Sequence, residues 1–123
     1  MPPTRICFYR DDDGNVPALA WIRGLALPAR RKCVARVRRL AAFGYELRRP
    51  VAAHLGRELY ELRARSGRVN LRILYFFRSR NEAVLVHALT KEDRIPDSDL
   101  ERALRRRDTF LGDPEGHTHE EEV

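Results

Sequence analysis

The sequence has 123 residues, 43% hydrophobic and 34% charged, which is enough apolar material for one globular core with an unusually polar surface and makes a single domain the starting expectation. The formal charge is +6, but five acids and no Lys or Arg fall in the last 13 residues. Residues 1–110 thus carry 24 basic groups against 13 acidic ones, a net +11 that points to a polyanionic partner.

Residues 4–10 are rich in β-branched and aromatic side chains and run into Asp11-Asp12-Asp13-Gly14-Asn15, so a first strand ending in a turn is expected. Pro17 suits the first turn of a helix that places Leu19, Ile22 and Leu25 at helical spacing. A second helix is expected from about Pro28 to Phe43, with Cys33, Val37, Leu40 and Ala41 on one face and Gly44 as its stop. The two helices form a hairpin packed on a sheet.

From Arg57 to Leu89 the texture changes to three short runs, 58–63, 69–77 and 83–89, separated by the polar turns Arg65-Ser66-Gly67-Arg68 and Arg78-Ser79-Arg80-Asn81. This reads as an antiparallel meander whose middle strand, apolar on both faces, lies at its centre. A last helix opens at Pro96, with Asp97 and Asp99 in its positive first turn and Arg105, Arg106 and Arg107 near its negative end. Leu100, Ala103, Leu104 and Phe110 form its buried stripe. The fold domain is expected to span 1–111, and residues 112–123 are expected to be a disordered acidic tail. One idea for that tail is that it lies over the basic face and mimics RNA phosphates.

No apolar run approaches the roughly 20 residues of a membrane-spanning helix, and the N-terminus lacks a signal-like apolar core, so the expected setting is cytoplasmic. Cys7 and Cys33 have no CxxC spacing and read as reduced, buried hydrophobes. His117 and His119 have HxH spacing but no further ligands, so neither metal nor cofactor is expected. The familiar GxSxG, HExxH, Walker A and GxGxxG patterns are missing.

Strand alternation then groups the chemistry. Leu59, Glu61 and Arg63 share a face of the first meander strand, Asn70, Arg72, Leu74 and Phe76 one of the second, and Leu85, His87 and Leu89 one of the third. If helices cover one side of the sheet, Glu61, Arg63, Arg72 and His87 meet on the other as an open charged surface. Arg72 stands out because a cation inside an apolar central strand needs an anionic ligand or an internal partner such as Glu61 or Glu58. His87 has the ordinary pKa of a proton shuttle, about 6.5, although a strand histidine is more often a satisfied structural group. Lys91 can hold a phosphate as a point charge, and Tyr75 and Phe76 are either core or base-stacking aromatics.

The runs Leu59-Tyr60-Glu61-Leu62-Arg63, Arg72-Ile73-Leu74-Tyr75-Phe76 and Leu85-Val86-His87-Ala88-Leu89-Thr90-Lys91, followed by Ile95-Pro96 and Glu101-Arg102-Ala103, resemble the phage-derived HigB-like branch of the RelE/ParE toxin superfamily. The resemblance covers about residues 4–110. It implies an α+β fold of the RelE type, in which an N-terminal strand and a two-helix hairpin pack on an antiparallel sheet followed by a C-terminal helix. It further implies the toxin of a type II toxin–antitoxin pair, an endoribonuclease that cleaves messenger RNA on the ribosome and is restrained by an antitoxin carrying a helix-turn-helix. By matching position the catalytic set is Arg72, His87 and Lys91: Arg72 is the principal phosphate-contacting and transition-state residue, with Arg63 a second phosphate contact, and Lys91 is part of the terminal basic group near the cut. Arg94 joins Arg63, Arg72 and Lys91 in the RNA-binding set, and His87 matches the family histidine, its role open between proton transfer and structure. The chain departs from the family in having Ala88-Leu89 after the histidine, the acidic pair Glu92-Asp93 after Lys91, and Leu71 before Arg72. Two other readings are a related toxin directed at DNA gyrase and an inactive basic module that binds nucleic acid or antitoxin.

Overall fold

A computed structural model describes residues 3–91 and 93–123. In chain order the elements are β1 (Arg5–Tyr9), α1 (Pro17–Arg23), α2 (Leu27–Phe43), a 3-10 turn (Gly44–Glu46), β2 (Ala52–Gly56), β3 (Leu59–Ser66), β4 (Val69–Ser79), β5 (Glu82–Thr90), α3 (Asp97–Gly112), α4 (Pro114–His117) and β6 (Thr118–His119). The strands form one sheet in the order β2-β3-β4-β5-β1-β6, in which β3, β4 and β5 are the antiparallel meander and β1 runs parallel to β5. This is an α+β fold of the RelE-like type.

Two apolar layers hold it together. On one face α1 and α2 bury Leu19, Ile22, Cys33, Val37 and Leu40 against Phe8, Leu62, Leu71, Ile73, Tyr75 and Leu85. On the other, α3 buries Ala103, Leu104 and Phe110 against Cys7, Leu74, Phe76, Val84 and Val86. Since β4 contributes to both layers, its nearly continuous apolar run is the sequence of a strand covered on two sides.

The helix hairpin owes its shape to its punctuation. Prolines occupy the first turns of α1 and α2, where the missing N–H costs nothing, and Gly24 and Gly44 close them. Gly44 adopts φ 51° and ψ −124°, and a Cβ there would overlap the Thr4 hydroxyl. Gly44→Ala is therefore expected to cost about 1–3 kcal/mol in a denaturant titration, through strained backbone and the displaced Thr4. No loss of stability would show that this turn relaxes freely.

The structure departs from the sequence expectations in three places. Residues 52–56 form an edge strand that the pattern does not announce, since Ala52, Ala53 and His54 have little β preference and pair only through β3. A bulge between Leu74 and Tyr75 places both Val86 and His87 on the α3 side, while Leu85 joins the opposite layer, so Leu85 and His87 do not share a face.

The third departure is the acidic tail. Rather than lying free, Asp113 caps α4, and β6 pairs antiparallel with the outer edge of β1. His117 is buried, stacks on Tyr9 and bonds through Nδ1 to the Arg10 carbonyl (2.8 Å), and His119 pairs with Glu121. Glu120 pairs with Arg5, Glu121 with Arg23, and the Val123 oxygen accepts from Arg38. The charge complement is the physical reason: a basic body offers arginines along β1, α1 and α2 to an acidic segment. β6 lies at the far edge of the sheet from β3, and α1 and α2 cover the face opposite Arg63 and Arg72, so the tail does not screen that pair. Deleting residues 113–123 uncovers the β1 edge, and the truncated chain is expected to self-associate more readily in sedimentation experiments. A strictly monomeric truncation of unchanged stability would show that the strap protects nothing.

Candidate phosphate-binding site

Register brings the first group together. Arg63 on β3 lies directly opposite Arg72 on β4, and two residue pairs further along, on the same face, Glu61 lies opposite Leu74, which in turn lies opposite His87 on β5. Two like charges facing each other across a ladder destabilise it unless a counter-ion intervenes. Glu61 is that counter-ion: it is 3% exposed, and its two carboxylate oxygens divide between Arg63 Nε at 2.5 Å and Arg72 Nε at 3.7 Å. One carboxylate against two guanidiniums leaves a net positive charge on this part of the face.

Arg72 is the more enclosed of the two, its side chain 14% exposed against 32% for Arg63. Burial pushes its pKa down, Glu61 opposes that, and Arg63 adds to the depression. The guanidinium keeps its proton at any physiological pH, so the strain appears instead as a cation poorly compensated by its surroundings. One Nη1 donor reaches the carbonyl of Leu71 at 3.3 Å, a weak use of a planar fork suited to two oxygens of a phosphate.

Lys91 follows the end of β5, and its backbone N–H donates to the carbonyl of Asn70 at 3.0 Å. Asn70 is two residues from Arg72, so Lys91 sits about 7 Å further along the sheet from the Arg63–Arg72 row. There it lines a cleft of about 490 Å³ with Arg68, Asn70, Thr90 and Asp93. Glu92, the first of the acidic pair, lies outside the described residues. Arg94 is brought elsewhere: exposed in the loop before α3, it pairs with Asp97 at 3.4 Å.

The face is only partly open, because α3 packs across it. Its helix covers the half that holds Phe76, Val84 and Val86, and it takes His87 with it. His87 is 7% exposed, with both ring nitrogens engaged: Nε2 at 2.7 Å from Asp99 Oδ1, and Nδ1 at 3.0 Å from Arg106 Nη1, which also donates to the Val86 carbonyl at 2.8 Å. Since a guanidinium can only donate, Nδ1 must accept, and the ring is the neutral tautomer donating from Nε2 to Asp99. The pKa agrees in direction: burial is the largest cause and lowers it, and together with Arg106 and Arg102 it outweighs what the hydrogen bond and charge of Asp99 restore. The short His87–Asp99 contact is accordingly a hydrogen bond between a neutral ring and a carboxylate, not an ion pair. Tyr75 and Phe76 are both buried in core layers and stack no exposed surface.

Asp99 and Arg106 were not visible as site neighbours from the helix-dipole reading alone. The available signal was their spacing: seven residues is two helical turns, which puts both on the face that also carries Ala103 and Phe110. Among the described residues no group of three or more His, Cys, Asp or Glu side chains is placed to hold a metal ion, and no helix is long and apolar enough to cross a membrane.

The fold is that of a small, basic α+β domain of the RelE-like type, whose sheet carries two guanidiniums on one shared carboxylate. Residues 20–108 match the family described as Phage derived protein Gp49-like (DUF891), and the chain belongs to this family, which is associated with RelE-like toxins of toxin–antitoxin systems. No curated protein matches the chain.

Proposed function

We propose that this chain is the toxin of a type II toxin–antitoxin pair, of the HigB-like kind, and that it cleaves messenger RNA on the ribosome. The observation that carries the reading is the Arg63–Arg72 pair, held face to face on the central strands by a single buried carboxylate. Such a pair gains most when a second anion arrives, and a phosphodiester in a strained, in-line conformation is that anion. The RNA supplies its own nucleophile. Its 2′-hydroxyl attacks the adjacent phosphorus, the bond to the 5′-oxygen breaks, and the products are a 2′,3′-cyclic phosphate and a 5′-hydroxyl. Arg72 and Arg63 neutralise the equatorial oxygens as charge builds on them, and Lys91 holds the neighbouring phosphate. The chain's contribution is positioning and charge, which needs no bound metal.

His87 fits the structural of its two roles. Covered by α3 and bonded at both nitrogens, it anchors that helix to β5 and thereby sets where the open half of the face begins. The expected partner is an antitoxin with a helix-turn-helix, and Arg94, exposed in the loop before α3 and paired with Asp97, is a peripheral phosphate contact outside the Arg63–Arg72 row.

Induced expression in a bacterial host, with growth followed and transcript 5′ ends mapped, tests the reading. Growth arrest with new 5′-hydroxyl ends inside translated messages is the expected result. Arrest without cuts would replace it by a gyrase-directed toxin, and unimpaired growth by a binding module without activity.

A further inference from the structure

On the helix-hairpin side of the sheet, at the β2 edge, lies a cleft of about 430 Å³ lined by Tyr45, Arg48, Arg49, His54 and Tyr60, with Ala52 and Ala53 as its floor. We propose that this cleft is a nucleobase-binding subsite for single-stranded RNA, separate from the Arg63–Arg72 pair.

Its rings are arranged for a flat, uncharged guest. Tyr60 lies half-buried at the back and stacks on Tyr75 (5.5 Å), which fixes it to the core. Tyr45 and His54 stand at its two sides, 6.2 and 4.8 Å from it by ring centroid, and both are exposed. Aromatic side chains that served only to close the core would be covered, yet Tyr45 is 45% exposed. Its position is nonetheless rigid: Phe77 packs against it at 4.4 Å, the Arg80 guanidinium lies over its ring, and Arg48 Nη1 donates to its carbonyl at 2.5 Å. A preset ring of this kind loses little freedom when a base stacks on it.

The rim supplies the second half of a nucleotide's chemistry. Arg48 and Arg49 are exposed, no carboxylate lines the cleft, and among the described residues neither arginine has an ion-pair partner. Cations beside stacked rings recognise phosphate and base together, whereas an acidic peptide would leave the rings without a matching surface. The cleft is also within reach of the first site. The Arg63 N–H donates to the Val51 carbonyl at 2.8 Å and β2 is an edge strand, so a chain held by a phosphate at Arg63, on the opposite face of the sheet, reaches Tyr45 by turning round the β2 edge.

The test uses the full chain carrying Arg72→Ala, so that the RNA is not consumed and the outcome does not depend on cleavage. Fluorescence anisotropy at low salt compares a short single-stranded oligoribonucleotide with a strand of the same length that lacks bases. Tyr45→Ala is expected to weaken binding of the oligoribonucleotide by about 5-fold to 150-fold and to leave the abasic strand unchanged, while Tyr45→Phe keeps the affinity. Equal losses on both strands, no loss on either, or no binding by the parent chain would each overturn the subsite. An effect of Tyr45→Ala confined to binding of an acidic partner protein would overturn it too. The nuclease reading is judged separately, by the transcript ends, so either can fail alone.

Discussion

Replacing Arg72 by alanine is expected to abolish growth arrest and to lower the cleavage rate by about 10²–10³-fold, the usual cost of removing one preorganised donor from a developing charge. The fold should survive, since Glu61 keeps Arg63 at 2.5 Å and is not left an unpaired buried charge. Arg72→Lys separates charge from geometry. It restores the cation but not the planar fork, so partial recovery is expected, well below the parent, if two phosphate oxygens are gripped at once. The measurement is the rate of appearance of in-frame 5′-hydroxyl ends on ribosome-bound messages, with thermal melts confirming that each variant is folded. In-frame cuts at the parent rate in Arg72→Ala would remove Arg72 from the chemistry.

Arg63→Ala bears on the same geometry from the other side. It leaves Glu61 to Arg72 alone, which turns an overcharged trio into a neutral pair, so the electrostatic gain on binding phosphate should fall although Arg72 itself is intact.

Much of this arrangement was legible from alternation and punctuation. The same-face grouping of Glu61, Arg63, Arg72 and His87 follows from a period of two in three runs joined by short turns, and the structure keeps it. Legibility failed where the determinants are not local. The bulge that separates Leu85 from His87 inserts one residue without any glycine to announce it, and β2 is a strand because β3 offers it an edge. The path of α3 was the largest gap. Its apolar stripe says that it must cover something, but not which half of the face, and that choice decides that Arg72 stays partly open while His87 does not. The tail illustrates the same limit: composition alone reads as unstructured, and order comes from arginines distant in sequence.

The depth at which His87 is held leads to the second large effect. His87→Ala removes the ring that satisfies Asp99 and Arg106 together and leaves space where β5 meets α3, so a loss of about 2–4 kcal/mol is expected in denaturant titrations. The pH dependence carries the sign. Because the folded-state pKa lies below the unfolded value of about 6.5, the two states bind the same number of protons above that pH and the group contributes no slope there. As the pH falls below about 6.5 the unfolded chain takes up a proton that the folded ring refuses, so stability declines until the pH passes the depressed folded value. That decline should be absent from His87→Ala, whose stability is expected to be flatter just below pH 6.5 than that of the parent. A parent that instead gains stability on mild acidification would mean that Asp99 holds the ring as imidazolium, with Arg106 turned away, and His87 would then be a proton donor beside the RNA face. The sign of one slope thus separates a helix anchor from a general acid at the same atom.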